Sequence, residues 1–336
     1  MSVRMAAKID CDVHNEVPSI HALVPYLPPY WVEQVRDTIF TGPLDSYYPV
    51  SESRAPLDGV RAWLDETGPA AAILSCTYAI DSLHNPDQAV ALARAINDWQ
   101  VAEWLAQDSR LRASIVVPSQ LPALAAEEIE RVAEHPGFVQ VLLPARSHHP
   151  YGSRLYLPLW EAIARHGLVG GIHFGGAPGN ASSPSGWPSY FLEEYAGAAL
   201  TFATQVTSLV TEGVFDRFPE LRVTLLESGC TWLPPHLWRF DKEWKNLRRQ
   251  VPWVRRPPSE YVRDHVRLTI APLDAPGEPG QLPSVVEELG SPDLLLYASD
   301  YPHRHGGDPE RDVLAHLDPE LGRRIREDNA RAWYGL

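Results

Sequence analysis

Cysteine is scarce in this chain: Cys11, Cys76 and Cys230 are the only three in 336 residues. Their odd number and wide spacing exclude a disulfide framework and a thiolate zinc site, and read as reduced thiols in a cytoplasmic protein. Positive charge is also short. Twenty-nine lysines and arginines face 43 aspartates and glutamates, a formal net charge of −14. Such a balance repels phosphate backbones and anionic bilayers, so neither nucleic acid nor membrane is an expected partner. Long apolar runs are missing as well. The longest uncharged helical stretch, 195–211, is interrupted by Thr201, Thr204, Gln205, Thr207 and Ser208, which reads as a buried helix rather than a membrane span. No signal peptide, internal repeat or low-complexity tract is read. A doubly wound nucleotide-binding sheet would carry a glycine-rich turn after an early strand, and here the first strand ends in Asp12-Val13-His14.

What the chain does have is 44% hydrophobic residues, enough for a large core. Eight short apolar runs lie at 6–14, 70–78, 112–120, 138–146, 168–176, 222–230, 266–274 and 294–302. Between and after them lie helical patterns at 86–107, 122–134, 156–166, 195–217, 283–289 and 319–332. Asn85-Pro86 reads as a helix cap followed by proline in the first turn. Strand-helix alternation predicts parallel βα units, and eight of them predict an α/β fold, a (β/α)8 TIM barrel forming one domain over 1–336. Long connections follow strand 1 (15–69), strand 5 (177–194) and strand 6 (231–265); they are expected to form lids or substrate pockets, and the aromatic content of 177–194 and 231–265 suggests a flat or hydrophobic substrate.

A barrel of this kind places its chemistry at the C-terminal ends of the strands. Residues 8–18 read KIDCDVHNEVP, and strict two-residue alternation puts Asp10, Asp12 and His14 on one face and Cys11 and Val13 on the other. Strand 5 ends in His173, inside a glycine-flanked apolar run. Strand 6 ends in Leu225-Leu226-Glu227, and a carboxylate after so apolar a run needs a metal or cationic neighbour. Strand 8 ends in Asp300, within SDYPH. Carboxylate and imidazole donors on rigid strand ends suit Zn²⁺ or a similar divalent ion. Asp10 reads as orienting the strand or a ligand. Glu16 reads as a further ligand, a partner of His14, or a solvated loop residue.

On these residues the chain resembles the amidohydrolase superfamily, in the branch that includes aminocarboxymuconate semialdehyde decarboxylase and related aromatic acid decarboxylases. The resemblance runs from strand 1 to strand 8. It implies one divalent ion, zinc or manganese, held by Asp12, His14, His173 and Asp300. Two departures stand out. Asp12 takes a position where the family often has histidine, which favours a harder ion such as Mn²⁺. Glu227 takes a position where a proton-transferring histidine commonly follows strand 6. Strand 4 ends in Pro144-Ala145-Arg146, with no lysine for a carbamylated binuclear centre.

The resulting expectation is a hydrolase acting on a small carboxylated or aromatic substrate through a metal-activated water, with Asp300, Glu227 and His173 as the catalytic groups. The alternative is a nonoxidative decarboxylase in which Glu227 protonates the ring carbon; a third reading is a non-catalytic barrel scaffold. Substrate contacts are expected from Arg146, Trp232, Arg239 and His303, with Tyr78, His148 and His305 nearby. Arg146 reads equally as an ordinary ion pair. His84 and the pair His148-His149 read as local loop structure. The resemblance also allows a homodimer, with the tryptophan-rich segment after strand 6 as its contact surface.

Overall fold

The computed structural model describes residues 8–38, 40–43, 54–176, 180, 186–272, 274–303 and 307–336. Eight parallel strands form the centre: β1 (Ile9–His14), β2 (Ala71–Ser75), β3 (Leu111–Val116), β4 (Phe138–Pro144), β5 (Val169–His173), β6 (Arg222–Leu226), β7 (Val266–Thr269) and β8 (Leu295–Leu296). They pair in sequence order. Backbone bonds from Cys11 N to Tyr297 O (3.0 Å), Asp300 N to Asp12 O (3.1 Å) and His14 N to Tyr301 O (2.7 Å) close the sheet between β8 and β1. Closure leaves no unpaired edge, and the result is the (β/α)8 barrel expected from the alternation.

The first strand departs from strict alternation. Asp10 pairs with Ala72 but Val13 with Leu74, so β1 holds one extra residue between them. Such a bulge reverses which face later side chains occupy. Before it, Ile9 and Cys11 pack with Ala71, Ile73, Val169 and Leu296. Those residues come from β2, β5 and β8, which meet only inside the barrel. After it, Val13 packs in the outer core between barrel and helices, and Asp12 and His14 point inward. Asp10 therefore does not share a face with Asp12 and His14, contrary to what simple alternation predicts.

The C-terminal helix Asn329–Tyr334 seals the opposite end of the barrel. Tyr334 Oη donates to Gln140 Oε1 (2.8 Å) and lies 3.0 Å from Thr224 Oγ1, to which Trp333 Nε1 also donates. Gly171 makes room for this layer, since a Cβ there would sit 2.4 Å from the buried Gln140 amide.

The crossover helices follow their sequence signals. Asn85 caps Pro86–Gln100 by accepting from the backbone of Asp87 and Gln88. The predicted 195–217 helix is two, Phe191–Thr211 and Val214–Arg217, divided at Gly213, whose φ of 73° is left-handed. Segment 231–265 is mostly helical too, Leu233–Leu247 and Pro258–His265, so its length is that of the crossover itself. Among the described residues no helix is long and apolar enough to cross a membrane.

Candidate functional site

Six polar side chains meet at the C-terminal mouth of this barrel. The bulge turns Asp12 and His14 inward, and β5 ends on His173. Glu227 and Asp300 follow β6 and β8 in left-handed backbone, with φ of 56° and 58°. Such a conformation costs a non-glycine residue about 1–3 kcal/mol and is held only where its surroundings impose it. His303, three residues beyond Asp300, completes the group. His14 Nε2 lies 2.9 Å from Asp300 Oδ1, 3.5 Å from Glu227 Oε1 and 3.8 Å from Asp12 Oδ1. His173 Nε2 lies 3.3 Å from Glu227 Oε1 and 3.5 Å from Asp12 Oδ2. His303 Nδ1 lies 3.0 Å from Asp300 Oδ1 and 3.9 Å from Glu227 Oε1.

Three carboxylates packed this closely repel one another, and burial raises the cost further. The ionisation equilibria reflect it. Burial first, and then Asp300, pushes the Glu227 carboxyl up. Burial works against protonation of His14, but Asp300 and Glu227 outweigh it and hold the imidazole well above its ordinary value. His173 is raised in the same way by Glu227 and Asp12. His303, where burial is outweighed by its bonds to Asp300 and Glu16, rises to about 9.

Among the described residues, both Asp12 carboxylate oxygens, both His14 ring nitrogens and His173 Nε2 are buried without a well-directed hydrogen bond. His173 Nδ1 lies 2.7 Å from the Phe174 carbonyl, which can only accept. Nδ1 therefore carries the hydrogen, and the lone pair of Nε2 faces the cluster. Two four-residue groupings have ligand atoms within 4.8 Å of one another, Asp12-His14-His173-Glu227 and His14-Glu227-Asp300-His303. Because they share His14 and Glu227, they describe one centre suited to one divalent cation. More than four donors, half of them carboxylates, fit Mn²⁺ better than a closed tetrahedral zinc site.

Other residues singled out in the sequence lie elsewhere. Asp10 Oδ1 accepts from Ser299 N (3.0 Å) and Asp12 N (3.3 Å), bracing the β1–β8 seam outside the cluster. Glu16 pairs with Arg54 (2.7 Å) and lies 3.8 Å from His303; among the described residues it joins neither ligand grouping and forms no ion pair with His14. Arg146 is buried against Glu194 (2.9 Å) and the Gly176 carbonyl (2.7 Å), which is the ordinary ion pair rather than an open clamp. Arg239 is exposed on the Leu233–Leu247 helix, and its charge acts on Glu243 rather than on the cluster. Trp232 donates to the carbonyls of Ser228 (3.0 Å) and Gly229 (3.3 Å), bracing the turn after Glu227. Tyr78 is half-buried, His84, His148 and His149 are exposed, and His305 lies outside the described residues.

Two features were not read from the sequence. Tyr195 packs edge-on against Phe174 (5.3 Å between centroids) and beside Phe191 (5.4 Å). Burial first, then the charges of Glu227 and Asp300, raises its hydroxyl pKa, which puts the ring beside the mouth. The i, i+4 spacing of Phe191 and Tyr195 at the start of a helix that follows a histidine-ended strand is the signal that marks this wall. Arg54 is the second, brought to the rim by Glu16. A hollow of about 830 Å³ lies away from this centre beside the start of β6, between Arg222, Arg256, Tyr261 and Trp333. Its arginines already bond Trp333 O, Gly167 O and Asp264.

Residues 52–336 match the amidohydrolase family model. The chain is 28% identical over 250 residues to the gamma-resorcylate decarboxylase of Polaromonas sp. strain JS666, covering 71% of this chain and 74% of that one. It is 26% identical over 257 residues to the protein of the same name from Rhodococcus jostii, with coverage of 71% and 75%. A solved structure of 2,6-dihydroxybenzoate decarboxylase with 2,6-dihydroxybenzoate matches with a TM-score of 0.73 at 21% identity, over 99% of this chain and 100% of that one. Manganese-bound 5-carboxyvanillate decarboxylase from Novosphingobium aromaticivorans matches with a TM-score of 0.73, also at 21% identity, over 100% and 98%. At that identity the structural likeness speaks for the fold.

Proposed function

Because the chain belongs to the amidohydrolase family, we propose that it is an enzyme that removes CO₂ from a small aromatic acid, with one divalent cation, manganese for preference, at the barrel mouth. The observation that carries this reading is the buried cluster of three carboxylates and three imidazoles with unsatisfied ligand atoms. Relatives named as decarboxylases favour this reaction over the hydrolase expected from the sequence.

Asp12, His14, His173 and Asp300 would hold the cation, with Glu227 as a fifth donor. When bound, the cation supplies Lewis-acid charge that fixes an anionic substrate oxygen. The rest falls to the chain itself. Phe174 and Tyr195 wall the mouth against a flat ring. Glu227, in reach of His14, His173 and His303, delivers a proton to the ring carbon that bears the carboxylate. His303, hydrogen-bonded to Asp300 and open to the mouth, returns a proton to Glu227. The carbon–carbon bond then breaks, its electron pair restores the aromatic ring, and CO₂ leaves, so one proton enters for each CO₂ lost. Arg146 and Arg239 take no part in gripping the carboxylate, one being committed to Glu194 and the other exposed.

This reading takes residues 1–336 as one catalytic domain with a small-molecule substrate. Three free, buried cysteines support a cytoplasmic location. Exposed Trp187, Tyr190, Leu192 and Leu200 support a homodimer. The test is incubation of manganese-loaded protein with 2,6-dihydroxybenzoate, 5-carboxyvanillate and a panel of aromatic amides, following CO₂ and hydrolysis separately. CO₂ release from an aromatic acid is expected. Amide hydrolysis without any CO₂ would restore the hydrolase reading.

A further inference from the structure

Strand β7 gives no ligand to the centre among the described residues, yet its lip bonds to the residues that carry one. We propose that Thr269, assisted by Asp274, is a positioning residue that holds the Glu227 carboxylate in the cation centre; the inference rests on the reading of Glu227 as a ligand.

The pairing of β6 with β7 ends at Leu225 opposite Leu268, so the backbone N–H of Glu227 lies beyond the ladder and needs another acceptor. Thr269 provides it. Glu227 N donates to Thr269 Oγ1 at 3.0 Å, and that hydroxyl in turn donates to Ala271 O at 3.2 Å. Thr269 is fully buried, so no water competes for this bond. It is made at the residue whose φ of 56° aims the carboxylate into the mouth.

The turn beyond Glu227 is fastened from the same strand end. At the rim, Asp274 accepts from Cys230 N (3.0 Å) and from Thr231 Oγ1 (2.7 Å). Gly229, also left-handed at φ 62°, runs so close beneath Asp274 that a Cβ would sit 2.4 Å from its carboxylate oxygen. Backbone strain at Glu227 thus persists because bonds from β7 secure it on both sides. Outer partners of this kind commonly change metal affinity about 10- to 100-fold when removed.

The experiment is Mn²⁺ titration, followed by the electron paramagnetic resonance of free and bound ion, on the whole protein and on Thr269→Val, Thr269→Ser, Asp274→Asn, Glu227→Gln and the double variant Thr269→Val/Glu227→Gln. Valine keeps the shape of threonine without the acceptor, and serine keeps the acceptor. About tenfold weaker binding with an altered bound-ion spectrum is expected for Thr269→Val. Thr269→Ser should stay near the unaltered protein, and Asp274→Asn should fall between. In the Glu227→Gln background, Thr269→Val should add nothing, because its effect passes through that carboxylate.

Unchanged affinity in Thr269→Val, or an equal loss with and without Glu227, would overturn the proposal while leaving the reading of the centre intact. Should Thr269→Val fail to fold, Asp274→Asn binding as tightly as the unaltered protein would overturn it. Failure of the unaltered protein to bind Mn²⁺, or of Glu227→Gln to weaken it, would overturn both.

Discussion

At the scale of single residues, neighbours in one strand do different work. Asp12 and His14 bring four unsatisfied buried oxygens and nitrogens to the mouth, whereas Asp10 secures the Ser299 and Asp12 N–H groups. Asp12→Ala and His14→Ala should each abolish stoichiometric metal in elemental analysis and leave a folded protein. Asp10→Ala should instead retain metal and lose about 1–3 kcal/mol of stability in denaturant titration, the usual consequence of orphaning buried donors. Loss of metal in Asp10→Ala as well would mean that alternation without a bulge describes β1. Sequence alone separates these roles poorly. His173, Glu227 and Asp300 stand out because a polar residue that ends an apolar run needs a partner. Arg146 and Arg239 carry no such mark: whether a guanidinium meets substrate or a carboxylate such as Glu194 depends on a contact 48 residues away.

At the scale of elements, all eight strands are legible because apolar runs with turn signals between them recur at barrel spacing, and the Asn85 cap is legible because its chemistry is local. The bulge in β1 is not, since one unpaired residue between Asp10 and Val13 is a property of pairing with β2. Nor is the Thr269 bond to Glu227, which joins residues 42 apart. Gly171 is an intermediate case: the sequence marks it as unusual in a strand, and the fold explains why. Its missing side chain admits the amide of Gln140, which bonds Ser114 and Tyr334. Gly171→Ala must displace that amide from a filled, hydrogen-bonded layer. A loss of about 1–3 kcal/mol is expected from overpacking, read as a lower denaturation midpoint. A neutral result would show that the barrel interior beneath His173 can shift freely.

At the scale of the whole molecule, the two ends of the barrel divide the labour between stability and chemistry. The end sealed by Trp333 and Tyr334 is packed and hydrogen-bonded throughout its polar layer. The opposite mouth gathers like charges, two left-handed carboxylate-bearing residues and unsatisfied ligand atoms. Such a concentration of unfavourable terms persists where a bound ion repays it, by shifting the equilibrium toward the folded state as it binds. The most direct test is anomalous diffraction at the manganese edge from crystals of the protein grown with Mn²⁺. One peak per chain, enclosed by Asp12, His14, His173, Glu227 and Asp300, is the predicted result. A peak elsewhere, or none with the six side chains ordered as described, would contradict the account.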